Sequence, residues 1–192
     1  MQRIFGDFIE ENRNDSLEYL VIGFSPTSIP LQQRWRNNGL SADFLADYLT
    51  TFFPAYDEVS SEKSHEIKGT VNFIANELLE NAMKFNHTAA ANAVHIALYL
   101  DATILRLYVR NTVDPQTVGD FQHFIDRLLK EEPAELYFQQ VEKNVTRETE
   151  ESSGLGFLTI LNDYNAKLAW KFESSEQHPN VIFVTTMSQL DF

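Results

Sequence analysis

The chain contains no cysteine, which excludes disulfides, thiolate nucleophiles and thiolate zinc sites and permits a reducing compartment. No apolar run reaches the roughly 18 residues of a membrane-spanning helix. The first residues, Met1-Gln2-Arg3-Ile4-Phe5-Gly6-Asp7, lack the basic, apolar and small-residue zones of a signal peptide, so a cytoplasmic location is expected. Positive charge is also scarce. Fifteen Lys and Arg face 28 Asp and Glu, a formal charge of -13, and such a surface repels nucleic-acid backbones and anionic lipid head groups. Neither nucleic acid nor membrane is therefore an expected partner, whereas a protein with a basic face is compatible with the balance. Repeats and low-complexity tracts are absent as well.

What is present suits one domain of 192 residues, because 43% hydrophobic content with 12% aromatic supplies a sizeable core. Met1 to Asp15 carries Phe5, Phe8 and Ile9 at helical spacing and predicts a short helical extension. Leu17 to Phe24 predicts a buried strand ended by Ser25-Pro26. Pro30 suits a first helical turn, and a helical region runs from there through Phe53 to Pro54. Ser60-Ser61 offers the N-cap of a second helix whose apolar period continues to Phe85. Val94, Ile96, Leu98 and Leu100 alternate, as do Leu105, Leu107 and Val109, and Asp101-Ala102 joins them as a β-hairpin. Residues 115–153 read as a lid-like helical segment, broken near Pro133, with Phe121, Phe124, Ile125, Leu128 and Leu129 on one stripe. A helix from Phe157 to Tyr164 and two strands, Lys167 to Phe172 and Val181 to Thr186, close the chain. This order implies an α+β sandwich of two layers.

Two segments carry chemistry. In Asn76-Glu77-Leu78-Leu79-Glu80-Asn81-Ala82-Met83-Lys84-Phe85, at about 100° per residue, Val71, Ile74, Ala75, Leu78, Leu79, Ala82 and Phe85 fill one arc that should face the sheet. Glu77, Asn81 and Lys84 form a polar strip beside that arc, with Asn76 and Glu80 further round. A carboxylate can deprotonate or orient an attacking group, an amide oxygen is a hard ligand for Mg2+, and an ammonium meets phosphate. In the second segment, Ser152-Ser153-Gly154-Leu155-Gly156 precedes a helix, where free amides and the positive end of the dipole attract phosphate. His65, His87, His95, His123 and His178 are scattered without metal-ligand spacing or a partnered serine, and read as structural.

Together and in this order, the two segments resemble the N-box and last glycine box of the GHKL (histidine kinase-like) ATPase superfamily, over roughly residues 60–188. Glu77-x-x-x-Asn81 and Ser153-Gly154-Leu155-Gly156-Phe157-Leu158-Thr159-Ile160-Leu161 are most similar to those of anti-sigma-factor serine kinases. The resemblance implies a Bergerat-type sandwich, a mixed sheet covered on one face by helices. It implies ATP or ADP with Mg2+ as ligand, Glu77 as the catalytic carboxylate, Asn81 as the Mg2+ ligand and Lys84 as a phosphate contact. Ser153, Gly154, Leu155 and Gly156 would form the loop over the phosphates, with Gly154 and Gly156 as its hinge. It also implies a protein partner, such as a STAS-type antagonist or a response regulator, and a possible homodimer.

One box departs from the pattern. Where the family carries Asp-x-Gly-x-Gly, about thirty residues after Asn81, this chain reads Val109-Arg110-Asn111-Thr112-Val113-Asp114-Pro115. Asn111 keeps an acceptor for the adenine amine, but the glycines are missing. The last strand begins Asn180-Val181-Ile182-Phe183, without the hydroxyl that relatives place there, and Glu148, Glu150 and Glu151 crowd the glycine loop with negative charge. The expected function is therefore a regulatory ATP-binding domain acting through a protein partner, with serine kinase activity open. The alternative is a pseudo-ATPase scaffold that has lost its nucleotide.

Overall fold

Alternating apolar runs and turn residues organise the chain into six strands and five helices among the residues described. In a computed structural model, those are residues 2–13, 16–25, 35–53, 57–87, 92–146, 155–174 and 181–192. The elements are β1 (Gln2–Phe5), β2 (Glu18–Phe24), α1 (Trp35–Thr50), α2 (Glu58–Lys84), β3 (Val94–Leu100), β4 (Ile104–Val113), α3 (Val118–Lys130), α4 (Pro133–Thr146), α5 (Leu155–Asp163), β5 (Lys167–Ser174) and β6 (Ile182–Asp191). None of the described helices is long and apolar enough to cross a membrane.

The strands form one sheet in the order β1-β5-β6-β4-β3-β2, and a two-layer α+β sandwich results. The sheet was expected to be mixed, yet each ladder among the described residues is antiparallel. The reason is strand order. β5 does run parallel to β4, but β6 lies between them and pairs antiparallel with both.

The core lies between the sheet and α2. Val71, Ile74, Ala75, Leu78, Leu79, Ala82 and Met83 of that helix are buried against Leu98, Leu105, Leu107 and Val109 of the hairpin and Trp170 of β5. Phe157 of α5 meets Trp170 edge to face at 5.5 Å, which seats α5 beside α2. α2 starts at Asp57, one turn earlier than the Ser60-Ser61 cap expected. The Asp57 carboxylate accepts from the Ser60 backbone N–H at 2.8 Å, and Ser60 Oγ accepts from the Asp57 N–H at 3.0 Å. Ser60 is thus the third residue of a capping box, not its first. Of the stripe expected on α3, Ile125 and Leu128 are buried, while Leu129 is exposed.

The N-terminus corrects two expectations. Residues 2–5 form an edge strand on β5, not a helix, because β5 would otherwise leave a row of amides unpaired. Gly6, at φ +71°, then turns the chain beneath the sheet face opposite the one on which α2 packs. Phe8 packs on Tyr108 at 6.0 Å, Tyr108 Oη donates to the Ile9 carbonyl at 2.9 Å, and Tyr99 Oη donates to Glu11 at 2.9 Å. This strap delivers the chain to β2 at the opposite edge, so β2 is half-exposed and not the buried strand its composition suggests. The helix start expected at Pro30 and its stop at Pro54 lie outside the described residues.

A Cβ at Gly6 would sit 2.9 Å from the Leu168 carbonyl oxygen on an unfavourable φ. Gly6→Ala should therefore cost about 1–3 kcal/mol in urea unfolding. An unchanged midpoint would show that the turn is not under this constraint.

Candidate functional site

Burying one arc of α2 leaves the margin of the helix fixed in direction. Glu77 and Asn81 are half-buried at that margin, and Lys84 is exposed one turn further on. All three line a cavity of about 430 Å³. Phe85 does not complete the buried arc as expected, because the helix ends at Lys84. Phe85 is instead the 51% exposed C-cap at the cavity rim, with Lys84 Nζ 5.8 Å from its ring, and Met83 fills the core position.

The floor of the cavity comes from the sheet. Asn111 and Val113 of β4 face it together with Val184 and Thr186 of β6, which hold the register Asn111↔Val184 and Val109↔Thr186. α3 supplies an apolar wall through Val118, Phe121 and Phe124, and Gly156 and Phe157 of α5 close the far side.

The two motif segments meet there. A Cβ at position 156 would collide with the Glu77 carboxyl, lying 3.1 Å from its Cδ, and would come within 3.6 Å of Asn81 Nδ2. Glycine at 156 is what lets α5 approach α2 this closely. Asn81 Nδ2 donates to the Glu77 carbonyl at 2.8 Å, which leaves its amide oxygen as an acceptor at the cavity. Asn111, 4% exposed, donates through Nδ2 to the Thr112 carbonyl at 2.9 Å, so its oxygen too is left to accept. Beside it the buried Asn86 accepts from both the N–H and the hydroxyl of Thr112 at 3.0 Å, and this latch ties the end of α2 to the end of β4.

The electrostatics are mostly acidic: Glu77, Glu80 and Asp120 line the cavity against Lys84. Burial, and secondarily the charge of Glu80, raises the pKa of Glu77 above the ordinary carboxylate value.

Of the residues singled out in the sequence, Glu77, Asn81, Lys84, Asn111 and Gly156 come together at one cavity. Leu155 does not line it; its side chain packs against the core. Ser153, Gly154 and the acidic residues 148, 150 and 151 lie outside the described residues. The region that should hold the middle glycine box is regular strand, since residues 110–113 continue the ladder with β6. Thr185 and Thr186 lie further along the last strand than the place where relatives carry their hydroxyl and were not expected to replace it, but Thr186 lines the floor of the cavity. Its signal was the period-two continuation from Val184. The aromatic wall of α3 was also missed, because Phe121 and Phe124 read equally well as core.

No family model matches the chain, and no curated protein matches it in sequence. Among solved structures, a chain of the SiaB-SiaC complex from Pseudomonas aeruginosa is similar to it with a TM-score of 0.60 and 16% sequence identity, over 93% of this chain and 92% of that one. At this identity the likeness is one of fold.

Two outcomes follow for the site. A carboxyl held above its unfolded pKa stabilises the fold while protonated, below about pH 4.3, and that contribution is lost as pH rises through the folded value. Glu77→Gln should therefore melt higher than the native chain at pH 7, with the gap closing near pH 4; a gap that widens on acidification would refute the assignment. Gly156→Ala should gain up to about 1 kcal/mol of helix propensity only when Glu77 is also Ala. A double-mutant cycle should give about 0.5–3 kcal/mol of coupling, and additivity would mean that the two residues are not in contact.

Proposed function

We propose that this chain is a regulatory GHKL-type domain that binds ATP or ADP with Mg2+ and acts through a protein partner, on the pattern of the anti-sigma-factor serine kinases. The observation that carries this reading is the meeting of Glu77, Asn81 and Gly156, distant in sequence, around one cavity with an amide acceptor at its floor. The likeness in fold, over nearly the whole of both chains, to a component of a two-protein complex supports the partner. A STAS-type antagonist or a response regulator is the class of partner this reading names.

The residues present fit the ligand. Asn81, its Nδ2 already committed to the helix backbone, offers a hard oxygen suited to Mg2+, which would offset phosphate charge in a cavity otherwise lined by carboxylates. Asn111 would accept from an exocyclic amine while Phe121 and Phe124 cover the face of a base. Lys84, at the rim, would meet the phosphates. Glu77, whose carboxylate burial makes more basic than an exposed one, would take the proton of a partner's serine hydroxyl if transfer occurs.

A second reading is favoured by one observation. Because residues 110–113 are paired strand, backbone cannot approach a base there as a glycine loop would allow, and a scaffold without nucleotide would keep the same fold.

Calorimetry and melting with ATP and ADP separate the two. The first reading expects Mg2+-dependent heat and a stabilisation of roughly 2.7 kcal/mol at a hundred times the dissociation constant, with the Mg2+ dependence lost in Asn81→Ala. Absence of heat and of any melting shift at millimolar nucleotide would leave the scaffold reading alone. In either case, co-purification from the native cell should return a specific protein partner.

A further inference from the structure

The sheet face opposite α2 carries a second cavity, of about 330 Å³, that the nucleotide reading does not use. The N-terminal strap roofs it with Ile9 and Glu10, while the β3–β4 hairpin floors it with Tyr99, Arg106 and Tyr108 and closes one end with Asp101. Tyr99 lies directly opposite Arg106 in the ladder, and Tyr108 is two residues further along β4, so all three point to one face.

Arg106 is the one cation of this lining among the described residues, and it is fixed in place. Its Nε donates to Gln189 and its Nη1 to Asp101, both at 2.9 Å, and Gln189 is itself held by Asp191 at 2.9 Å. A guanidinium presents its N–H donors in one rigid plane, yet Nη2 meets no acceptor among the described residues, on a side chain only 15% exposed. Asp101 engages Oδ2 alone, which leaves Oδ1 to accept. The lining thus offers an open donor and an open acceptor on the two partners of a single ion pair. Other polar groups are committed. The Tyr108 and Tyr99 hydroxyls donate to the Ile9 carbonyl and to Glu11, and Glu10 is held by Lys171, so the tyrosines offer the cavity chiefly their rings.

We propose that this cavity binds a free α-amino acid with an aromatic side chain. The α-carboxylate would meet Nη2 of Arg106 and the α-ammonium Oδ1 of Asp101. One carbon separates these two groups of the ligand, which matches an ion pair whose partners are themselves in contact at 2.9 Å. Both contacts are charge-assisted, and the partial burial of the pair limits their screening. The aromatic side chain would lie on Tyr99 and Tyr108 beside Ile9.

Charge narrows the class further. A chain of net charge -13 repels an acid that carries no amine. An amine without a carboxylate would cover the Arg106 donor and leave it unpaired. A zwitterion escapes both penalties. The volume lies at the low end of the roughly 300–1,000 Å³ typical of small-molecule sites, which suits a ligand of amino-acid size.

Calorimetry of the full chain with L-phenylalanine should show saturable heat, whereas phenylpropionate and phenethylamine, each lacking one of the two charged groups, should bind about tenfold or more weakly. Asp101→Asn and Arg106→Gln should each weaken L-phenylalanine binding by about tenfold or more. The comparison of ligands uses the native chain and stands even where Arg106→Gln fails to fold. Bound L-phenylalanine touches both strap and hairpin, so hydrogen exchange should slow at residues 9–10 and in the β3–β4 hairpin. An absence of saturable heat up to about 10 mM L-phenylalanine would overturn the proposal. So would equally tight binding of either analogue, or protection confined to α2 and α3, which would put the ligand in the nucleotide cavity.

Discussion

The packing of one face of α2 on the sheet is the constraint from which the rest of the molecule is measured. Eight of its side chains are buried, and the helix cannot rotate without exposing several of them at roughly 1.5–3 kcal/mol each. That fixed rotation aims Glu77 and Asn81 at the cavity. It also sets how near α5 must come, and position 156 tolerates the approach because it has no side chain. Core packing and site geometry are thus two consequences of one interface, joined to β4 by the Asn86 latch.

Charge explains what the cavity asks of a ligand. Three carboxylates against one lysine oppose a polyphosphate, so a cation must accompany any nucleotide bound there. The apolar wall of α3 works in the other direction and favours a flat, uncharged ring system. A cavity with an acidic rim and an aromatic wall is therefore selective on two grounds, and both act on the same ligand.

The outer face of the sheet is handled by a different device. A strap of about seven residues, turned by Gly6, covers Tyr99, Tyr108 and Met187 and carries the chain from one sheet edge to the other. Lys171 holds the strap through Glu10 at 2.6 Å and lies over the ring of Phe8 at 5.3 Å. The N-terminus thus adds β1 to the β5 side of the sheet and covers its outer face, with β1 and β2 as the two edge strands among the described residues.

Local pattern was enough for the elements that bury a regular stripe. The β3–β4 hairpin, the buried arc of α2 and the break between α3 and α4 are legible because periods of two and of about 3.6 residues translate directly into faces. The cavity's Glu77, Asn81 and Lys84 were legible for the same reason, as the margin of such a face. What remained was decided by contacts between residues far apart in the chain. Gln2–Phe5 is a strand because β5 has an edge to pair, Thr186 belongs to the floor because β6 lies in register with β4, and Phe121 is a wall because α3 folds back over Asn111. Periodicity names the side of an element that must leave water; it carries no record of which distant element will cover it, and only the closed chain supplies that.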